Sequence, residues 1–120
     1  MTDYASYMIC TAPRSGSTLL CRLLAETGVA GRPASYFHEP SLAEWTRRLG
    51  VEPEAAASER EVVGACIQAA QSRGCSDNGI FGLRLQRPSF AFFFSRLALV
   101  HPGALSDRDR FEGVFGRTLF

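Results

Sequence analysis

The chain of 120 residues contains no lysine: all of its 13 basic residues are arginines. A GC-rich bacterial genome would explain this most simply. The formal net charge is +1, so the whole-molecule field favours neither a nucleic acid nor a membrane surface as partner. An anion site in this chain must use arginine and backbone amides. A nucleotide-binding P-loop requires a lysine after its second glycine, so the absence of lysine argues against a small kinase of the P-loop type.

Signals for export, for membrane insertion and for metal binding are also missing. Residues 1–8 show no basic stretch followed by an apolar signal core, and no apolar run approaches the length of a membrane span. The four cysteines form no C-x-x-C pair, and neither histidine lies at metal-ligand spacing from a cysteine. We therefore expect no metal site and a cytoplasmic protein with free thiols, namely Cys10, Cys21, Cys66 and Cys75.

Short apolar segments alternate with helical patterns along the chain, which is 46% hydrophobic and 21% charged. Strands are predicted at residues 7–11, 80–85 and 117–120. Helices are predicted from residue 17 to the stop signal at Gly28, at 41–49, 58–73 and 88–100, with a further helical turn in 107–115. This alternation is typical of an α/β domain with a parallel sheet, here a single domain over residues 1–120.

The first predicted helix is amphipathic. Its leucines recur at helical spacing, at positions 19, 20, 23 and 24. Arg22 and Glu26 lie on the opposite face as an i, i+4 pair in the less favourable order.

Residues 11–20, TAPRSGSTLL, connect the first predicted strand to this helix. A sharp strand-to-helix turn directs the unpaired first-turn N–H groups of the helix at one point, which attracts anions. Gly16 permits close approach of the backbone, and the side chains around it supply a guanidinium and three hydroxyls. We therefore predict an anion site formed by Arg14, Ser15, Gly16, Ser17 and Thr18, with a plain turn and helix cap as the simpler alternative.

Three known loop chemistries use such a turn. Without lysine the nucleotide-binding P-loop does not fit, and the spacing from Cys10 to Arg14 is too short for a cysteine phosphatase. In the 5′-phosphosulfate loop of sulfotransferases, a basic residue precedes serine-glycine-serine/threonine-threonine. The segment PRSGST fits this third pattern.

The combination of this loop with two further segments resembles the bacterial trehalose 2-sulfotransferase type. The matching segments are SYMICTAPRSGSTLL, then TGVAG with Pro33, and the later strand GLRL. The resemblance implies a P-loop-like three-layer α/β fold and transfer of a sulfuryl group from 3′-phosphoadenosine 5′-phosphosulfate (PAPS) to a sugar hydroxyl. It also implies that residues 14–18 hold the phosphosulfate, that the acceptor is a trehalose-like sugar or a glycolipid, and that a homodimer is possible.

The chain departs from this family in two respects. The position of the family's proposed base, a glutamate, is Ser35 here. Family members are also longer, and their 3′-phosphate site is expected beyond Phe120. The chain therefore resembles the N-terminal part of such an enzyme, truncated before the C-terminal half, and the alternative is a non-catalytic fragment that retains only an anion-binding loop.

Because a serine is a poor base, the proton of the acceptor must go elsewhere. Glu39 is the first candidate and His38 the second, since both lie in the connector expected above the helix N-terminus. We predict that residues 35–39 are extended, so that Ser35, Phe37 and Glu39 share one face and His38 points away with Tyr36.

Other side chains have a functional and a structural interpretation. Arg84 is either a second anion contact or a surface charge at a strand end. Tyr36, Phe37 and Trp45 either form a wall on which a sugar stacks or, as is more common for such residues, anchor the core and its loops.

Overall fold

The predicted alternation of strands and helices is confirmed in a computed structural model of the chain, which describes residues 5–11, 16–38 and 41–119. The three strands are β1 (Ser6–Thr11), β2 (Phe81–Gln86) and β3 (Thr118–Leu119). The helices are α1 (Ser17–Glu26), α2 (Leu42–Leu49), α3 (Glu59–Gly74), α4 (Phe90–Val100) and α5 (Asp107–Phe115), with a 3₁₀ turn at Arg87–Ser89. None of these helices is both long and apolar enough to cross a membrane, as far as the described residues go.

The sheet is parallel, as predicted, and its strand order is β2-β1-β3. The register of β1 against β2 runs from Ser6 opposite Phe81 to Thr11 opposite Gln86. The carboxyl ends of β1 and β2 therefore lie side by side at one edge of the sheet. In open parallel sheets this edge is where ligands bind.

The two faces of the sheet have different neighbours because successive side chains of a strand point in opposite directions. Phe81, Leu83 and Leu85 are almost fully buried in the core that the sheet shares with α2 to α5. Tyr7 and Ile9 point to the other face, where they line a cavity with Leu24 of α1. Helices therefore flank the sheet on both faces.

Three helices begin at a serine whose Oγ accepts a hydrogen bond from a first-turn amide. The distances are 3.4 Å for Ser41, 3.2 Å for Ser58 and 3.1 Å for Ser106. This satisfies one of the N–H groups that a helix start leaves unpaired. The predicted starts at Ser41 and Ser58 are confirmed. At Ser58 the hydroxyl also lies 3.3 Å from Oε1 of Glu61, so the glutamate binds the capping side chain.

The leucine-rich helix α1 forms where the sequence predicts it, but the described residues leave three of its leucines uncovered. Leu19, Leu20 and Leu23 are 52%, 46% and 51% exposed, and Cys21 is the buried residue of the helix. Periodicity predicts a helix with two faces, but it does not determine which elements pack on them. The predicted pair of Arg22 and Glu26 is also not formed among the described residues, and both side chains are exposed.

The connector after α1 follows the outer edge of β2. The amide of Arg84 donates to the carbonyl oxygen of Ala34 over 3.1 Å. Gly31 has a left-handed φ of 71°, and a Cβ there would lie 2.8 Å from the amide nitrogen of Gly82, so this approach requires glycine. The connector thereby brings Ser35 beside the second half of β2.

Candidate functional site

Gly16 occupies the N-cap of α1 with a left-handed φ of 78°. Ser17 and Thr18 follow in the first turn, whose amides have no partner within the helix. A Cβ at Gly16 would meet no atom of the described residues within 4 Å, so among them it is the left-handed backbone conformation that favours glycine. Arg14 and Ser15 lie outside the described residues, and their contact with an anion stays a prediction.

Arg84 projects from β2 toward this first turn. Its Nη1 donates to Thr18 Oγ1 at 2.9 Å and to Ser17 Oγ at 3.4 Å, and its Nε donates to Ser35 Oγ at 2.7 Å. All three partners are neutral hydroxyls, and no carboxylate among the described residues pairs with the guanidinium. Within the part of the chain that the structure describes, this partly buried cation beside the positive end of a helix has no counter-charge, which favours the binding of an anion.

Ser35 accepts hydrogen bonds from two side chains of β2. Besides Arg84 Nε, Gln86 Nε2 lies 2.6 Å from its Oγ. A serine hydroxyl has two acceptor positions, and both are occupied in this arrangement. Ser35 therefore has no acceptor position left for the proton of a substrate, in agreement with the expectation that it is not the base.

Two polar side-chain atoms in this region are buried and have no hydrogen-bond partner in the described part of the chain. They are Nδ1 of His38 and Oε1 of Gln86. The carbonyl oxygen of His38 accepts a hydrogen bond from Ser89 Oγ, which ties the connector to the turn after β2. Each such unpartnered buried atom costs about 1–3 kcal/mol.

The prediction that residues 35–39 are extended is wrong, because the chain makes a turn at Tyr36 and Phe37. Side chains alternate between faces only in extended backbone, so the inference that Glu39 shares the face of Ser35 no longer holds. Glu39 itself lies outside the described residues. Glu39 and His38 both remain predictions for the base.

The chain turns at Tyr36 and Phe37 because this turn buries the side chain of Phe37, which is 0% exposed. Its ring centroid lies 4.7 Å from that of Trp45 and 4.9 Å from that of Phe93. A sugar cannot stack on a ring without an exposed face. The prediction that Phe37 contacts the acceptor is therefore wrong, and the alternative interpretation of Phe37 and Trp45 as core anchors is confirmed.

Tyr36 extends toward the amino end of β2. Its ring stacks on Phe81 with a centroid distance of 6.3 Å, and its hydroxyl donates to the carbonyl oxygen of Arg32 at 2.6 Å. Because Phe81 begins β2 and Arg84 lies in its second half, the ring is directed away from the polar cluster. A contact of Tyr36 with the acceptor stays an untested prediction.

Sequence reasoning missed Gln86, although a signal for it was present. Residues two apart in a strand share a face, so Gln86 follows from Arg84 once Arg84 is placed in β2. Its partner Ser35 lies 51 positions earlier in the chain. That contact depends on the parallel pairing and on the path of the connector, which no local pattern reveals.

The cysteines are not activated for nucleophilic chemistry. All four are free, and burial raises the pKa of Cys10 and of Cys21, with Arg84 partly lowering the pKa of Cys21. Since the thiolate is the nucleophile, a raised pKa argues against the cysteine phosphatase alternative. Within the described residues no group of histidine, cysteine or acidic side chains could hold a metal ion.

The arrangement is suited to an anion such as sulfate or phosphate, because an arginine and two hydroxyls surround the first turn of a helix. No curated protein matches the chain. The sequence model of one family, described as Stf0 sulphotransferase, matches residues 6–120. This match spans both strands and the helix that build the site, and the chain accordingly belongs to the Stf0 sulphotransferase family.

Proposed function

We propose that the protein transfers the sulfuryl group of PAPS to a hydroxyl of a carbohydrate. Membership of the family supports sulfotransfer in general. The observation that carries the finer proposal is the position of Arg84, which donates to the hydroxyls of Thr18 and Ser17 without a carboxylate partner among the described residues. A donor with a phosphosulfate group would supply the negative charge that this site lacks.

In this proposal residues 14–18 hold the phosphosulfate, and Arg84 adds a second cation. Sulfuryl transfer requires an in-line approach of the acceptor and stabilisation of charge on the moving group and on the leaving phosphate. The first-turn amides of α1 and the two arginines provide fixed positive charge of this kind. No metal is part of the proposal.

The donor site is tested by equilibrium binding of the desulfonated product, PAP, to Arg14→Ala and Arg84→Ala. Each variant loses charge-assisted contacts, so we expect a loss of roughly 1.5–3 kcal/mol in binding free energy. Arg60→Ala is the matched control, because Arg60 is exposed on α3, a helix that contributes no residue to the site, and the variant removes the same charge. Unchanged PAP affinity in both site variants would contradict the proposal.

The base is a separate part of the proposal. His38 and Glu39 are candidates because they follow Ser35 in the connector, at the side of the site that Arg84 and the first turn of α1 form. We expect Glu39→Gln or His38→Ala to lower turnover about 10²- to 10⁴-fold with nearly unchanged PAP affinity. If both variants turn over within a few-fold of the parent, neither residue is the base.

One feature favours a second function, that of an anion-binding chain without catalysis. The family's base position is Ser35, whose hydroxyl oxygen accepts from Arg84 and Gln86 and cannot take a proton. Transfer of labelled sulfur from PAPS to a panel of sugars separates the two functions. Transfer supports the enzyme, and PAP binding without transfer to any sugar supports the anion-binding chain.

A further inference from the structure

The hydroxyl group of Ser35 is held in one orientation by its two partners on β2. Its Oγ accepts from Nε of Arg84 at 2.7 Å and from Nε2 of Gln86 at 2.6 Å. A guanidinium and an amide nitrogen can only donate, so together they occupy both acceptor positions of the oxygen. The hydroxyl hydrogen therefore points away from both nitrogens, and toward any further group Ser35 acts as a donor.

This donor has no acceptor within the part of the chain that the structure describes. Both groups that contact Ser35 Oγ are themselves donors. The residue is half-buried, so it is not enclosed by the core. Hydrogen bonds in a chain polarise one another, so the bond from the Arg84 cation makes the Ser35 hydroxyl a stronger donor. An oxygen with negative charge is the acceptor that such a group binds best.

Ser35 is a neighbour of the donor site because Arg84 contacts both. The guanidinium donates to Thr18 Oγ1 through Nη1 at 2.9 Å and to Ser35 through Nε. These nitrogens belong to one planar group with fixed angles, so the two hydroxyls lie on adjoining sides of it. A ligand with two linked anionic groups can therefore place one at the first turn of α1 and the other toward Ser35.

We propose that Ser35 donates its hydroxyl hydrogen to an oxygen of the sulfuryl group of PAPS, while the first turn of α1 holds the phosphate. The inference rests on the proposed function and assigns one more residue to it. A donor that is already oriented stabilises charge on the moving group without reorganisation. The position of the family's base thus carries a donor to the transferred group in this chain. Gln86 acts through Ser35 and is a positioning residue.

The test compares equilibrium binding of PAPS with that of PAP, which lacks the sulfuryl group. No sugar is present, so transfer does not take place. Ser35→Ala removes one hydrogen bond to an anionic group, so we expect roughly 10- to 100-fold weaker binding of PAPS and nearly unchanged binding of PAP. Ser35→Thr keeps the hydroxyl and should retain most of the PAPS affinity. Ser72→Ala, at an exposed position of α3, is the matched control.

A second variant tests the direction of the hydrogen bonds. Gln86→Leu removes one of the two donors that orient the Ser35 hydroxyl. We expect a smaller loss of PAPS affinity than in Ser35→Ala, with PAP affinity again nearly unchanged. A gain in PAPS affinity would mean that the amide oxygen of Gln86 accepts from Ser35 in the parent protein, and it would overturn the inference.

Two results for Ser35→Ala would also overturn the inference. The first is PAPS affinity within two-fold of the parent. The second is an equal loss of PAPS and PAP affinity, because Ser35 would then act on the phosphate or on the fold. Absence of PAPS and PAP binding to the parent protein is a different result, since it contradicts the proposed function itself and this inference with it.

Discussion

Arg84 is the residue that joins the three segments of the site. It belongs to β2, its Nη1 reaches the first turn of α1, and its Nε reaches Ser35 in the connector. A planar guanidinium can serve several acceptors at fixed angles, which a lysine cannot do.

Tyr7 binds the connector that carries Ser35, and the effect of removing its hydroxyl can be measured. Its hydroxyl donates to the carbonyl oxygen of Ala30 at the start of the connector. Gly82 leaves room for this contact, since a Cβ there would lie 2.6 Å from Tyr7 Oη. Tyr7→Phe leaves that carbonyl without its partner, so we expect the free energy of unfolding to fall by about 1–3 kcal/mol in urea titrations at pH 8.

The same variant should change the alkaline pH dependence of stability. Burial raises the pKa of Tyr7 from 10.0 to about 12. Below pH 10 both the folded and the unfolded state hold the proton, so the contribution is complete. Above pH 10 the unfolded state loses its proton first, and stability decreases as the pH approaches 12. Tyr7→Phe should show a shallower decrease between pH 10 and pH 11, and identical slopes would contradict this assignment.

At the scale of elements, short-range signals were reliable. The serines at positions 41 and 58 cap α2 and α3, and Gly16 begins α1, because capping depends on residues within one turn. The packing of an element is different, since it depends on partners far away in the chain. The leucines of α1 have helical spacing, yet no described element covers positions 19, 20 and 23.

The cap of α3 gives a prediction at this scale. Ser58→Ala removes the acceptor of the Glu61 amide and should lower the free energy of unfolding by about 0.5–2 kcal/mol. Ser72→Ala, an exposed position in the same helix, is the control, and we expect a change within about 0.5 kcal/mol there. Urea denaturation of both variants is the measurement. Equal effects would show that the Ser58 hydroxyl does not cap the helix.

At the scale of the whole molecule, one aromatic cluster joins α2, α4, α5 and the connector. Phe93 is 1% exposed, and its ring contacts those of Phe37, Trp45 and Phe111. The connector segment that carries Ser35 and His38 is therefore anchored by the core through Phe37. This anchoring determines where Ser35 and His38 lie relative to β2.

Phe93→Ala should accordingly destabilise the protein strongly. Removing a buried phenylalanine costs about 3–5 kcal/mol, because apolar contacts are lost and a cavity remains. Leu105→Ala is the control, since Leu105 is 96% exposed and its loss should have little effect. Both are measured by urea denaturation. A loss of less than 1 kcal/mol for Phe93→Ala would show that the cluster does not stabilise the fold.

The sequence by itself determined the order of strands and helices, the parallel α/β class and the glycine-serine turn at the start of α1. These features depend on hydrophobic periodicity, caps and turns, which act over a few residues. Only the tertiary structure decided that Arg84 meets Thr18 and Ser35, which are 66 and 49 residues away in the chain. It also decided that Phe37 belongs to the core. Contacts of this range arise from strand pairing and from the competition of side chains for burial, which no local pattern specifies.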